Sequence, residues 1–204
     1  MSTTHQHWDT TYASKPETGV SWFQSDPALS FRWIKEAAPD HSSKIIDIGG
    51  GASRLTDRLI TEGYSQLTVL DISSIALSRT CERIGSAADK VNWITADVTA
   101  WTPAQTWDVW HDRAVFHFLT ESSAQDAYIA ALHNGTREGS AVIMATFAPT
   151  GPEKCSGLPV QRYDAQSLAA RLGRDFHLYA EAAERHQTPF GTTQDFIYAS
   201  FRRR

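Results

Sequence analysis

The chain of 204 residues has few cysteines, no long hydrophobic run and no excess of positive charge. Its two cysteines, Cys81 and Cys155, are too few for a disulfide framework and indicate a reduced, intracellular setting. The N-terminal stretch lacks the apolar core of a signal peptide, and no stretch approaches the roughly 18 apolar residues of a membrane span. We therefore expect a cytoplasmic protein without a membrane partner.

The net charge of −4 provides no basic field that would draw the protein to nucleic acid, so no nucleic-acid partner is predicted. The phosphate-binding motif G-x-x-x-x-G-K-[ST] is absent, which excludes the nucleotide hydrolases that carry it. The histidines and cysteines show no zinc-ligand spacing, and no metal is predicted. The sequence leaves the oligomeric state open.

Short apolar runs alternate with helical stretches along most of the chain. The runs have little polar alternation, which is typical of strands buried on both faces of a parallel sheet. They cover residues 44–48, 66–71, 92–97, 107–112 and 140–148, with helical stretches at 53–64, 73–85 and 122–136. This order predicts a doubly wound α/β sheet.

The C-terminal part has a different pattern, with a helix predicted at residues 162–173 and long strands at 176–189 and 192–204. The two strands are joined by a turn and form an antiparallel hairpin. The predicted fold is therefore α/β, with a doubly wound, mostly parallel seven-stranded sheet, a C-terminal antiparallel hairpin and helices on both faces. We expect a single domain, in which residues 1–43 form an N-terminal lid or helical segment on a core of residues 44–204.

A glycine turn follows the first predicted strand, in the stretch KIIDIGGGASRLTDRL. Gly49 and Gly51 match the first two glycines of a dinucleotide fingerprint, and Asp71 matches its acidic residue about 20 positions later. Arg54 stands in the place of the third glycine, and Asp47 would crowd a pyrophosphate but suit a cation. The pattern indicates a ligand with a ribose and a positive group.

An aspartate lies at or near the end of each of the first four predicted strands: Asp47, Asp71, Asp97 and Asp112. A single such residue is explained equally well as a helix cap. Because the carboxyl ends of parallel strands share one edge of a sheet, four of them predict an acidic rim at the ligand-binding edge.

The stretch Asp47, Gly49 and Gly51 resembles the first motif of the class I S-adenosylmethionine-dependent methyltransferases, an acid followed by Gly-x-Gly-x-Gly, with Ser53 at the last glycine. The resemblance covers roughly residues 42–204 and implies S-adenosylmethionine as the cofactor. It implies that Asp71 binds both ribose hydroxyls and that Asp97 contacts the adenine amino group. The cofactor site expected on this basis comprises Trp8, Tyr12, Asp47, Gly49, Gly50, Gly51, Asp71, Ile72, Asp97, Val98 and His111.

Polar residues after the fourth strand are the candidates for chemistry, since this family places the methyl acceptor there. His111, Asp112 and His117 are the predicted catalytic residues, and His117 would be the base because its ordinary pKa lies near neutrality. The alternative is a structural ion pair between Asp112 and Arg113 plus a packed histidine.

Two further groups are candidates for substrate contacts. Trp8, Tyr12 and Trp22 lie in the N-terminal segment, where aromatic faces would attract a sulfonium or ammonium, or would simply pack the segment onto the core. Arg162 follows the fifth strand in a Gly- and Pro-containing loop, which either lies near the acceptor or is structural. The tentative substrate residues are Trp22, Arg113 and Arg162.

The start of the chain and the Asp112-Arg113 pair resemble the branch of small methyltransferases that modify protein lysines. That branch has Asp-Lys and then an acid, and here His117 replaces the acid. We therefore expect methyl transfer to a protein lysine or another amine, with a small-molecule N-, S- or O-methyltransferase as the alternative. The rivals from other classes are an NAD-dependent oxidoreductase and a non-catalytic nucleoside-cofactor-binding module.

Overall fold

A computed structural model of the chain describes residues 3–204. The helices are α1 (Thr3–Ser14), α2 (Ala28–Ala37), α3 (Leu55–Glu62), α4 (Ser74–Ile84), α5 (Ser122–Gly135) and α6 (Ala165–Leu172). The strands are β1 (Lys44–Ile48), β2 (Gln66–Asp71), β3 (Val91–Thr95), β4 (Val109–Arg113), β5 (Ala141–Phe147), β6 (Lys154–Cys155), β7 (Leu158–Pro159), β8 (Phe176–Gln187) and β9 (Thr193–Arg203).

Seven of these strands form one sheet in the order β3-β2-β1-β4-β5-β9-β8. The first five strands along the chain pair in parallel, whereas β9 is antiparallel to both β5 and β8. The predicted fold is confirmed. The strand order reverses between β1 and β4, and at such a switch point the carboxyl ends of the strands leave a crevice for a ligand.

Helices cover both faces of the sheet. Successive side chains of a strand point to opposite faces, so apolar side chains on each face pack against helices. Ile45 packs into a core on the face covered by α2, α3 and α4. Ile46 and Ile48 pack into a second core, on the face covered by α5 and α6. Every residue of β5 is buried, as expected for a central strand between two helical layers.

The N-terminal helix α1 lies beside the carboxyl edge of the sheet, where two hydrogen bonds hold it. Ser73 Oγ, at the start of α4, donates to Asp9 Oδ1 over 2.6 Å. His7 Nε2 lies 3.2 Å from Ser156 Oγ, in the turn between β6 and β7. The antiparallel β6–β7 pair lies in a segment for which the sequence predicts only an ordered loop. Among residues 3–204, no helix has the length and apolar character needed to cross a membrane.

Candidate functional site

A cavity of about 400 Å³ opens at the carboxyl edge of the sheet. Its walls come from the ends of β1, β2 and β4, the loops after β2 and β3, helix α1 and the β6–β7 hairpin. A smaller cleft of about 60 Å³ is formed by residues 12–30, the glycine turn and β4. Gly49, Tyr12, Trp22 and Arg113 line both spaces, so the two are neighbours.

Asp71 ends β2, is buried and lines the large cavity. Its Oδ2 accepts a hydrogen bond from the Gly51 amide at 3.0 Å, and its Oδ1 accepts one from the Ser73 amide at 2.8 Å. Burial raises the pKa of Asp71 to about 6, against the effect of these two amides. Each carboxylate oxygen retains a lone pair for a ligand hydroxyl.

The glycine turn is shaped by close contacts that exclude side chains. Gly49 has a φ of +69°, which favours glycine. A Cβ on Gly50 would lie 2.3 Å from Asp47 Oδ2, and a Cβ on Gly51 would lie 2.5 Å from Asp71 Oδ2. The glycines therefore allow both carboxylates to approach the backbone of the turn.

The loops after β2 and β3 supply the opposite wall of the cavity, through Ile72, Asp97 and Val98. Asp97 lies two residues beyond the end of β3, and its Oδ1 accepts hydrogen bonds from the Thr99 amide at 2.9 Å and the Thr99 hydroxyl at 2.7 Å. Two apolar side chains and a carboxylate beside them suit a flat ring that carries an amino group.

Aromatic side chains line the side of the cavity that faces the N-terminal segment. The Trp8 ring lies 5.6 Å from the Trp22 ring and 5.1 Å from the Phe118 ring, both edge to face. Tyr12 is buried beside them, and its ring centroid lies 6.3 Å from that of Trp8. Such rings both pack together and attract a cation.

His111 and Asp47 line the small cleft rather than the large cavity. Both are buried, and His111 Nδ1 lies 2.7 Å from Asp47 Oδ1. The other ring nitrogen of His111, Nε2, lies 2.9 Å from Ser30 Oγ. With both nitrogens engaged, His111 has no free nitrogen for a direct contact with an acceptor, which revises its expected catalytic role.

The base role expected for His117 also needs correction, because the side chain is fully buried away from both spaces. Its Nδ1 accepts the Phe147 amide at 3.3 Å, so the proton of the neutral ring is on Nε2. Burial, with the positive charge of Arg113, lowers the pKa of His117 to about 3. The ring packs against Phe118 and Phe147 and has no lone pair directed at the cavity.

Asp112 is a buried structural acceptor rather than part of the acidic rim. It accepts the Tyr128 hydroxyl at 2.6 Å and the amides of Val115 and Phe116 at 2.9 and 3.1 Å. Burial raises the pKa of Asp112 to about 6 despite these donors. Successive side chains of a strand point to opposite faces of the sheet, so the Asp112 side chain lies on the face opposite Arg113.

Arg113 does line the cavity, but it does not pair with Asp112. Its Nη2 lies 3.3 Å from Glu184 Oε2, and its Nη1 donates to the Trp22 carbonyl at 3.2 Å. The guanidinium also lies 4.4 Å from the centre of the Phe196 ring. Arg113 therefore ties the N-terminal segment to β8 and β9 at the point where the two spaces meet.

Arg162 does not line either space, which removes it from the expected substrate contacts. It donates to the carbonyls of Pro149 and Gly151 at 3.0 and 3.2 Å and pairs with Glu153 at 3.2 Å, so it supports the loop after β5. Cys155 does line the cavity, and burial raises the pKa of its thiol to about 12. The thiol therefore stays protonated at neutral pH.

The sequence did not identify several apolar residues of the cavity, namely Phe118, Leu119, Leu158 and Pro159. Their types are those of ordinary core residues, so no local pattern sets them apart. The Gly- and Pro-containing loop after the fifth strand was the one available signal for Leu158 and Pro159.

Part of the chain is similar to known proteins. Residues 45–139 match a family model described as a methyltransferase domain. A stretch of 93 residues is 26% identical to the mouse eEF1A lysine and N-terminal methyltransferase. That match covers 46% of this chain and 13% of the mouse protein, so the chain corresponds to a small part of that relative.

Solved structures share the fold over nearly the whole chain. The N-methyltransferase NodS of Bradyrhizobium japonicum, bound to S-adenosylhomocysteine, matches with a TM-score of 0.73 at 15% identity, covering 99% of each chain. The 1,6-didemethyltoxoflavin N1-methyltransferase of Burkholderia thailandensis matches with a TM-score of 0.68 at 14% identity. This second match covers 98% of this chain and 84% of that one.

Proposed function

We propose that this chain, a class I S-adenosylmethionine-dependent methyltransferase by its matched domain and its fold, methylates an amine nitrogen. The observation that carries the proposal is the placement of Asp71, which reaches one cavity together with the glycine turn and the Ile72, Asp97 and Val98 wall. The supporting relatives include N-methyltransferases.

The described residues fit S-adenosylmethionine at each end of the site. Asp71 has acceptor capacity for two ribose hydroxyls, and Asp97 lies beside the apolar wall that an adenine would contact. Asp47 Oδ2 is buried without a hydrogen-bond partner in the described part of the chain and suits the ammonium of the cofactor's aminoacyl end. When bound, the cofactor supplies an electrophilic methyl group on a sulfonium.

The chain's own contribution to the reaction is alignment and desolvation. The site would hold the acceptor with the lone pair of its nitrogen free and in line with the methyl group, which the bound cofactor would supply while its sulfur keeps the electrons of the carbon–sulfur bond. No histidine is among the described residues that line the large cavity. Aliphatic side chains that line the cavity, among them Leu119, Leu158 and Pro159, favour the neutral amine, because an apolar surrounding disfavours the ammonium form.

A protein lysine is the acceptor that we propose first, since its unbranched chain can present one nitrogen to an apolar cavity. The lysine and N-terminal methyltransferase among the relatives supports this choice. A small-molecule amine is the second candidate. It is favoured by α1 and the β6–β7 hairpin, which both line the cavity and are hydrogen-bonded to each other through His7 and Ser156.

Incubation of the protein with methyl-labelled cofactor and a cell lysate, followed by separation by size, tests the proposal. We expect label in the protein fraction, whereas label confined to small molecules would favour the second candidate. Asp71→Ala is the matched control and should lose the label in either fraction. No transfer above this control in any fraction would overturn the proposed activity.

A further inference from the structure

A line of hydrogen-bonded side chains, all buried except the half-buried Arg113, connects the large cavity with the glycine turn. Arg113 Nε donates to Tyr198 Oη at 3.1 Å, and Tyr198 Oη lies 3.2 Å from Ser30 Oγ. Ser30 Oγ lies 2.9 Å from His111 Nε2, and His111 Nδ1 lies 2.7 Å from Asp47 Oδ1. Three strands and one helix contribute to this line, and the proposed function gives a role to Asp47 alone.

The hydrogen atoms along this line have only one consistent direction when the imidazole is neutral. The Asp47 carboxylate can only accept, so His111 Nδ1 donates to it and Nε2 accepts. Tyr198, which accepts from Arg113, therefore gives its own hydrogen to Ser30. Ser30 then donates to His111 Nε2, which leaves the ring proton on Nδ1. That proton is donated to Asp47, whose carboxylate is the acceptor at the end of the line.

The second carboxylate oxygen of Asp47, Oδ2, takes no part in this line of hydrogen bonds and is available to a ligand. Asp47 Oδ2 is buried and has no hydrogen-bond partner among residues 3–204. It lies beside the bare face of Gly50 and in the wall of the small cleft. A buried carboxylate oxygen without a partner is costly, so this position suits a ligand with a cationic donor.

We infer that His111 and Ser30 are positioning residues for the aminoacyl end of the cofactor. They hold Asp47 by Oδ1 so that Oδ2 points into the small cleft, where it receives the ligand's ammonium. The inference rests on the proposed function, since the ligand is the one proposed there. His111 therefore does not contact the cofactor or the acceptor itself, but orients the Asp47 carboxylate that does.

The affinities for two ligands distinguish this positioning role from a general contribution to the stability of the fold. S-Adenosylhomocysteine and 5′-methylthioadenosine share the adenine, the ribose and the sulfur, but the second lacks the aminoacyl group. Calorimetry should show that the wild-type protein prefers S-adenosylhomocysteine. A residue that only supports the fold would change both affinities alike, whereas a residue that positions Asp47 changes this preference.

The two amide substitutions of His111 form a matched pair. In His111→Asn the amide nitrogen lies near the place of Nδ1 and can still donate to Asp47, whereas in His111→Gln it lies near the place of Nε2. We expect His111→Gln to reduce the preference about tenfold or more, the scale of one hydrogen bond to a charged group. Binding of 5′-methylthioadenosine should change less than threefold, and His111→Asn should keep most of the preference.

Ser30→Ala provides a second test that disturbs the core less. It removes the donor to Nε2 and should reduce the same preference by about threefold to tenfold, with the fold checked by circular dichroism. Equal losses for both ligands, or an unchanged preference in His111→Gln, would overturn this inference alone. A wild-type protein that binds neither ligand would overturn the proposed function as well.

Discussion

At the scale of single residues, Asp71 is the buried carboxylate that we propose as the acceptor for the ribose hydroxyls of the cofactor. It already accepts two backbone amides, and hydrogen bonds to a charged group are each worth about 1.5–3 kcal/mol. Asp71→Ala should therefore weaken binding of S-adenosylhomocysteine at least about tenfold while the fold survives. Calorimetry measures the affinity, and an unchanged value would remove Asp71 from the site.

The raised pKa of Asp71 predicts a pH dependence of binding. Burial raises this pKa to about 6, so the carboxylate that accepts ligand hydroxyls is replaced by a neutral carboxyl below that pH. Affinity should fall about tenfold from pH 7 to pH 5. The unliganded protein behaves in the opposite way, because a raised pKa gives a stability contribution that is present at low pH and lost as the pH rises through about 6.

Asp71→Asn is the control for this pH dependence, since its side chain has a similar shape and does not titrate. Its affinity should be lower than that of the parent at pH 7 and should not vary between pH 5 and pH 7. A parent protein with a flat profile over the same range would contradict the assignment.

His117 leads to a different expectation, because its pKa is lowered to about 3 by burial and by Arg113. The ring is neutral throughout the range in which an enzyme of this kind would be assayed. His117→Asn should leave the shape of the pH–rate profile unchanged, and the lost packing against Phe118 and Phe147 should lower stability by about 1–3 kcal/mol. A rise of rate near neutrality that disappears in the variant would restore the role of a base.

Asp71 and His117 show how far sequence reasoning reaches at this scale. Both are polar residues just after or at the end of a strand, and the motif spacing located Asp71 correctly at the cavity. The direction of a side chain beyond a strand depends on the local turn, and Phe116–Phe118 form a short 3-10 helix that turns His117 into the core. The sequence pattern does not predict that this short helix directs His117 into the core.

At the scale of structural elements, the glycine turn after β1 leaves no room for a side chain. A Cβ on Gly51 would lie 2.5 Å from both Ala76 Cβ and Asp71 Oδ2, closer than such atoms approach. Gly51→Ala should displace the carboxylate and weaken cofactor binding at least about tenfold, and Gly51→Val should be as damaging. Titration with S-adenosylhomocysteine measures this, with circular dichroism to verify the fold; full affinity in Gly51→Ala would show that the turn adapts.

Helix α1 and the β6–β7 hairpin are the elements that we propose as a lid. Both elements line the cavity and are joined by the His7–Ser156 contact, and α1 is held to the start of α4 by Asp9 and Ser73. Binding of S-adenosylhomocysteine should increase the protection of α1 and of residues 154–159 from hydrogen exchange. The outer hairpin strand β8 serves as the internal reference, and equal protection of α1 with and without ligand would assign it a packing role.

The elements themselves were largely predictable, for physical reasons that differ along the chain. Burial on both faces requires mostly apolar residues in β5, in which Thr146 is the one polar residue, so the strand gives a clear signal. The long strands β8 and β9 were equally visible. The β6–β7 hairpin has only two residues in each strand, which is too short for its sequence to carry a periodic signal.

At the scale of the whole molecule, ligand binding should be visible as added stability, because the site is built from elements of both halves of the sheet. A ligand present at 100 times its dissociation constant stabilises the native state by about 2.7 kcal/mol. For a chain of this size, that corresponds to a rise in Tm of about 5–10 °C. We expect this shift with S-adenosylhomocysteine in a thermal unfolding experiment.

NAD is the informative comparison in the same experiment, since the rival function uses it. It shares the adenine and ribose, but its pyrophosphate would lie at the glycine turn beside Asp47, whose free oxygen repels negative charge. NAD should therefore raise Tm by less than about 1 °C at the same concentration, and Asp71→Ala should reduce the shift with S-adenosylhomocysteine. A shift with NAD as large as that with S-adenosylhomocysteine would favour the oxidoreductase, because the turn would then accept a pyrophosphate despite Asp47.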